Sequence, residues 1–133
     1  MKKVIKAKQS LDNLNLALTR LQEALNESPA NTLIIDGTIQ RFEFTIELFW
    51  KTLKRLLALE GIESSTPKDT IKKAYSAKWI SNETAWLQML HDRNETSHVY
   101  DENKAREIYD HIKQNFAELQ YAYKLLSQQI KHV

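Results

Sequence analysis

The chain has 133 residues, 42% of them hydrophobic and 27% charged, with two glycines and two prolines. That length suits one domain able to bury about 68% of its unfolded surface, and so few turn-forming residues exclude a loop-rich or all-β protein, while the apolar content excludes disorder. A net charge of +2 is too near neutral to diagnose nucleic-acid binding, though it permits a local basic groove, and the lack of cysteine excludes disulfides and thiolate metal sites.

Met1-Lys-Lys-Val-Ile-Lys begins like a signal peptide, but no apolar run of the required length follows, and no stretch approaches the ~20 apolar residues of a membrane span. The chain is therefore expected to be soluble and uncleaved, with no membrane partner, and compatible with the cytoplasm. From about Lys3 to Asn26, Val4, Leu11, Leu14, Leu18, Leu21 and Leu25 recur at steps of three and four, apart from one gap near Ala7. This predicts a bundle helix with Lys6, Asp12, Arg20 and Glu23 facing solvent, ended by Ser28-Pro29 because proline cannot continue the hydrogen-bond ladder.

The segment from about Leu33 to Glu60 carries two patterns at once. Phe42, Phe44, Ile46 and Leu48 alternate as in a strand, whereas Ile39, Phe42, Ile46, Phe49, Leu53 and Leu56 keep the helical rhythm. Helix wins on length: neither Gly nor Pro lies between Thr38 and Glu60, and Gly61 sits where a helix C′ residue belongs. The surplus apolar residues Phe44, Leu48, Trp50 and Leu57 make this helix either central in the bundle or partly covered by another subunit. Glu43 and Glu47 border that surface and read either as surface charges or as partners for Arg93.

Ser65-Thr66-Pro67-Lys68-Asp69 predicts a helix start, with Thr66 capping, Pro67 in the first turn and Asp69 at the positive dipole end. The short helix it opens is expected to turn Ile71, Ala74 and Tyr75 inward and Lys68, Lys72, Lys73 and Lys78 outward, as a solvated face or a phosphate-backbone contact. Ser81 is the expected cap of a helix carrying Trp86, Met89 and Leu90 on one stripe. Asp101 is the expected cap of a last helix to about Lys131, with Ala105, Ile108, Ile112, Phe116, Leu119, Tyr123, Leu126 and Ile130 buried. Residues 1–133 thus read as one all-α domain, an antiparallel up-and-down bundle of about four main helices plus a short one.

Between Arg93 and Tyr100 the apolar stripe gives way to Arg93, Asn94, Ser97, His98 and Tyr100. A guanidinium, an amide, an imidazole and a phenol so close together can bind a phosphate and move a proton. On one ideal helix Arg93 and His98 would diverge by about 140°. The reach of arginine, a helix ending near Thr96–Val99, or two copies meeting across a dimer would each reunite them, with Asn94 orienting the imidazole. Such a set could cleave RNA without metal, His98 serving as general base or acid and Arg93 neutralising charge on the phosphate. The plainer reading makes His98 a helix-end residue and Arg93 a salt-bridge partner of Glu43 or Glu47. His91 and His98 stand ~10.5 Å apart along a helix, too far for one ion. Neither a metal site nor a cofactor is expected, and His111 and His132 show no partners.

Arg93-Asn94-Glu-Thr-Ser-His98-Val-Tyr100 resembles the R-x4-H-x-Y signature of the HEPN superfamily (higher eukaryotes and prokaryotes nucleotide-binding domain). Arg41 through Lys51, Trp86 through Glu102 and the stretch Pro67-Lys-Asp-Thr-Ile-Lys-Lys-Ala resemble its branch of nucleotidyltransferase substrate-binding proteins, in order along nearly the whole chain. The resemblance implies a homodimer with both motifs facing a shared cleft, and a separate minimal nucleotidyltransferase as partner. In related toxin–antitoxin pairs the HEPN member is an RNase toxin. Arg93 and His98 then match its catalytic pair, Asn94 the polar residue after the arginine, and Tyr100 a tyrosine that the partner modifies with AMP. In the nearest branch the resemblance instead implies a noncatalytic subunit that holds a nucleotide or other substrate for the transferase. The motif is intact and fits both.

Overall fold

The computed structural model describes residues 1–98 and 101–130, His98 through its backbone alone. Five helices form an antiparallel up-and-down bundle: α1 (Lys2–Leu25), α2 (Thr32–Leu59), α3 (Pro67–Ser76), α4 (Glu83–Asn94) and α5 (Glu102–Ile130). A 3-10 turn, Thr96–His98, follows α4, and the described residues include no strand. No helix among them is long and apolar enough to cross a membrane.

The gap in the leucine stripe of α1 is closed by Ala7, which is fully buried and restores the three-and-four rhythm between Val4 and Leu11. The helix stops at Leu25, before Ser28-Pro29 rather than at it, with Asn26 as C-cap. Helix α2 runs unbroken through the strand-like alternation. Phe42, Ile46, Phe49, Leu53 and Leu57 are buried, whereas Phe44 is 63% exposed. The alternation arises from apolar residues added to the outer face, not from a period of two.

One feature of α2 escapes hydrophobic patterning. Thr38, Thr45 and Thr52, spaced at heptad intervals, are fully buried. Each hydroxyl donates to the carbonyl four residues back, Ile34, Arg41 and Leu48 respectively, at 2.6–2.7 Å. The polar atom is thereby satisfied within the helix and the methyl is left to pack. Thr52 also shares a hydrogen bond with Ser10 of α1, so this small-residue face joins α2 to its neighbour.

Helix ends follow recognisable chemistry. Asn31 caps α2 by accepting from Leu33 N at 2.9 Å. Gly61, at φ 78°, closes it while Ile62 N bonds Leu57 O and Gly61 N bonds Ala58 O. Thr66 caps α3 by accepting from Asp69 N at 3.0 Å, and Asp69 reaches back to Ser65 N at 3.0 Å. In α3, Ile71 and Ala74 are buried as expected, but Tyr75 is 45% exposed. It lies one residue beyond the narrow inward stripe of a short helix. The cap of α4 is Asn82, accepting from Ala85 N at 3.0 Å, and not Ser81, whose hydroxyl instead reaches Glu118 of α5 at 3.5 Å. Asp101 caps α5 by accepting from Asn103 N and Lys104 N.

All five helices contribute to one apolar cluster. Trp86 anchors α4 there, 1% exposed and edge-on to Phe49 of α2 with ring centroids 4.8 Å apart. That contact fixes the start of α4, two turns before its polar end.

Candidate functional site

The site lies where α4 runs out between α2 and α5. Successive residues there point to different neighbours. Asp92 falls three after Met89 and continues the buried stripe, so its carboxylate is only 3% exposed. Oδ1 accepts from Gln88 Nε2 at 3.1 Å, and both oxygens face Nδ1 of His111 on α5, at 3.0 and 3.2 Å. His111 therefore has a partner, contrary to the expectation from sequence. A carboxylate at a core position signals that a donor must exist, but nothing in sequence spacing shows that the donor sits on α5.

Arg93 turns toward α2. Its Nη1 donates to both oxygens of Glu47, at 2.7 and 2.8 Å, and Nη2 donates to Asn94 Oδ1 at 3.0 Å. Of the two candidate carboxylates, Glu47 holds the arginine, while Glu43 accepts from the hydroxyl of Thr96. Glu47 is itself fixed by Trp50 Nε1, at 3.0 and 3.1 Å. Charge-assisted bonds from a guanidinium are directional, so Trp50, Glu47 and Asn94 together set the plane of Arg93. The side chain remains 22% exposed and Glu47 38%.

The α-helix stops at Asn94, and Thr96 bonds back to Arg93 O at 2.8 Å as the chain tightens into the 3-10 turn holding His98. The angle of one continuous helix therefore does not apply between Arg93 and His98. Asn94 Oδ1 accepts from Arg93, so its side-chain carbonyl helps orient the guanidinium, while the expected contact of Asn94 with the His98 imidazole lies outside the described residues. Tyr100, the candidate for AMP modification, lies outside the described residues.

Beside Arg93 and Asn94 an open groove of about 350 Å³ runs between α4 and the start of α3, with Lys68 and His91 on its walls. His91 Nε2 is 3.9 Å from Glu95. Among the described residues no three His, Cys, Asp or Glu side chains gather as a metal site would require.

Comparison with known proteins adds the lineage. A Haemophilus influenzae protein named "Probable ribonuclease HepT" is 36% identical over 84 residues, 59% of this chain and 58% of that protein, so the chain spans little more than half of that relative. A crystal structure from Thermus thermophilus matches with a TM-score of 0.74 at 31% identity, over 88% of this chain and 98% of the other. A Haemophilus influenzae structure, described as revealing the fold of a substrate binding domain of a nucleotidyltransferase, matches with a TM-score of 0.79 at 28% identity and the same coverage. Residues 9–129 match the family described as nucleotidyltransferase substrate binding protein like, the HEPN branch that the sequence blocks around Arg41, Pro67 and Arg93 resemble, and the chain belongs to that family.

Proposed function

We propose that this protein is the HEPN component of a two-component cytoplasmic module of the toxin–antitoxin type, paired with a minimal nucleotidyltransferase, and that it carries a metal-independent endoribonuclease site. The supporting observation is the setting of Arg93: a guanidinium held in one plane by Glu47 and Asn94, at a break in α4 with His98 in the turn that follows. In this reading the donors of Arg93 not engaged by Glu47 and Asn94 bind the scissile phosphate and offset its developing charge. His98 takes the proton of the attacking 2′-hydroxyl or supplies one to the leaving oxygen. The product is a 2′,3′-cyclic phosphate, DNA is not cut, and no cofactor is needed.

The relative named as a ribonuclease supports the same reading. Homodimer formation belongs to it as well. Phe44, 63% exposed, and Leu16, 51% exposed, line an open groove between α1 and α2. Phe44 follows Glu43, which holds Thr96, so a second copy seated there would lie beside the Arg93 end. Tyr100 is the residue proposed to receive AMP from the partner.

A second reading is favoured by the neutralising contact of Glu47 with Arg93 and by the structure described as a substrate binding domain. In it the chain binds a nucleotide substrate for the transferase and cleaves nothing. Incubating purified protein with RNA in EDTA separates the two. Cleavage that leaves cyclic phosphate ends and disappears in Arg93→Ala and His98→Ala supports the ribonuclease. Intact RNA, together with a transferase whose activity depends on this chain, supports the binding subunit.

A further inference from the structure

We propose that the groove between the start of α3 and the end of α4 seats a nucleoside monophosphate unit of a single RNA strand, adjacent to the phosphate at Arg93. This rests on the reading that Arg93 meets a phosphate and extends it to residues outside the R-x4-H motif.

The chemistry of the walls carries the inference. Lys68, His91, Arg93 and Asn94 offer hydrogen-bond donors, and among the described residues no carboxylate lines the groove itself, Glu47 and Glu95 standing behind Arg93 and His91. A divalent cation would need oxygen ligands of the opposite kind. Leu87 and Leu90 add apolar wall, which inorganic phosphate would not use but the apolar surface of a nucleoside would. The volume of about 350 Å³ lies within the range of small-molecule sites.

Lys68 is the distinguishing residue. It is exposed and makes no ion pair among the described residues, whereas Lys73, on the same helix, is tied to Asp69 at 3.2 Å and to Glu63 O at 2.6 Å. The backbone of α3 contributes less to binding an anion, because Thr66 already satisfies Asp69 N and the Asp69 carboxylate occupies the amide of Ser65. Recognition therefore falls to side chains, which substitution can remove one at a time.

The test is fluorescence anisotropy of a labelled 2′-O-methyl oligoribonucleotide, which cannot be cut by its own 2′-oxygen, against wild type, Lys68→Ala and Lys72→Ala. Lys72 is exposed too but is not among the residues lining the groove. Lys68→Ala should weaken binding about three- to tenfold and lower the slope of log affinity against log salt by about 0.7, the loss of one phosphate contact on a single strand. Lys72→Ala should leave both unchanged. Equal slopes for wild type and Lys68→Ala, or equal losses in the two variants, would overturn the groove. The ribonuclease reading fails or stands separately. Lys68-dependent binding without cleavage of natural RNA removes that reading and keeps the groove. Cleavage that needs Arg93 but has the same KM in Lys68→Ala does the reverse.

Discussion

The Asp92 carboxylate on α4 and the His111 imidazole on α5 lie 3.0 Å apart, next in sequence to the arginine of the site. This pair, with Gln88, ties the polar end of α4 to the last helix at a point only 3% exposed. Removing Asp92 leaves the polar atoms of Gln88 and His111 that face it without their acceptor, and a polar group left unsatisfied in a largely buried place costs its desolvation. Asp92→Ala should therefore lower stability by about 1–3 kcal/mol in urea unfolding, while Asp92→Asn, which keeps the shape and an acceptor for Gln88, should lower it less. Equal midpoints for Asp92→Ala and wild type would show that the pair does not hold α4.

Two helices end by the same device with different residues. Gly61 closes α2 at φ 78° and Lys78 closes α3 at φ 66°, where Trp79 N bonds Ala74 O and Lys78 N bonds Tyr75 O. Glycine adopts this left-handed conformation freely, but a residue with a Cβ is penalised by about 1–2 kcal/mol. Lys78→Gly should relieve most of that strain, less the larger unfolded-state entropy of glycine, and raise stability by about 0.5–1 kcal/mol. A lower thermal midpoint would mean that the lysine stem contributes packing worth more than the strain.

These two positions also mark what the sequence makes legible. Gly61 is visible as a helix stop because glycine is the residue that left-handed backbone favours, whereas nothing about Lys78 distinguishes it from a lysine on a solvated face. Element type and core face follow from periodicity, which is why α2 is recognisable as a helix despite Phe44 and Leu48. The heptad threonines are invisible to it, since a hydroxyl bonded to its own helix is buried without looking apolar. At the site, Arg93 and its two candidate carboxylates are readable from sequence. The choice of Glu47, and the partnership of Asp92 with His111, depend on how α4 is rotated against α2 and α5.

Asp69 supplies a pH prediction. The backbone N–H of Ser65 and then the Lys73 ammonium favour its ionised form, holding its pKa below the ordinary 3.8. A carboxyl with a lowered folded-state pKa binds fewer protons folded than unfolded in that interval, so its contribution is complete above pH 3.8 and disappears as pH falls through the lowered value. Asp69→Asn should accordingly reduce the thermal midpoint at neutral pH and make no difference in strong acid. A difference between the two proteins that stays constant down to strong acid would place the effect in helix propensity rather than in the charge.

Glu47 separates positioning from binding. It carries both the Arg93 guanidinium and the Trp50 indole, yet the ion pair is partly exposed, 22% and 38% for the two side chains. A pair open to solvent contributes about 0.2–1 kcal/mol to stability, so Glu47→Ala should leave urea unfolding nearly unchanged. Its effect on the proposed chemistry should be larger. An arginine released from its plane still attracts a phosphate but no longer presents its donors where charge develops, so kcat for RNA cleavage should fall about tenfold or more. Affinity for the uncleavable 2′-O-methyl strand should not weaken, because a carboxylate has been removed from beside the anion. If cleavage by Glu47→Ala matches wild type, the Arg93–Glu47 contact is an ordinary helix-to-helix salt bridge and the orientation of Arg93 is set elsewhere.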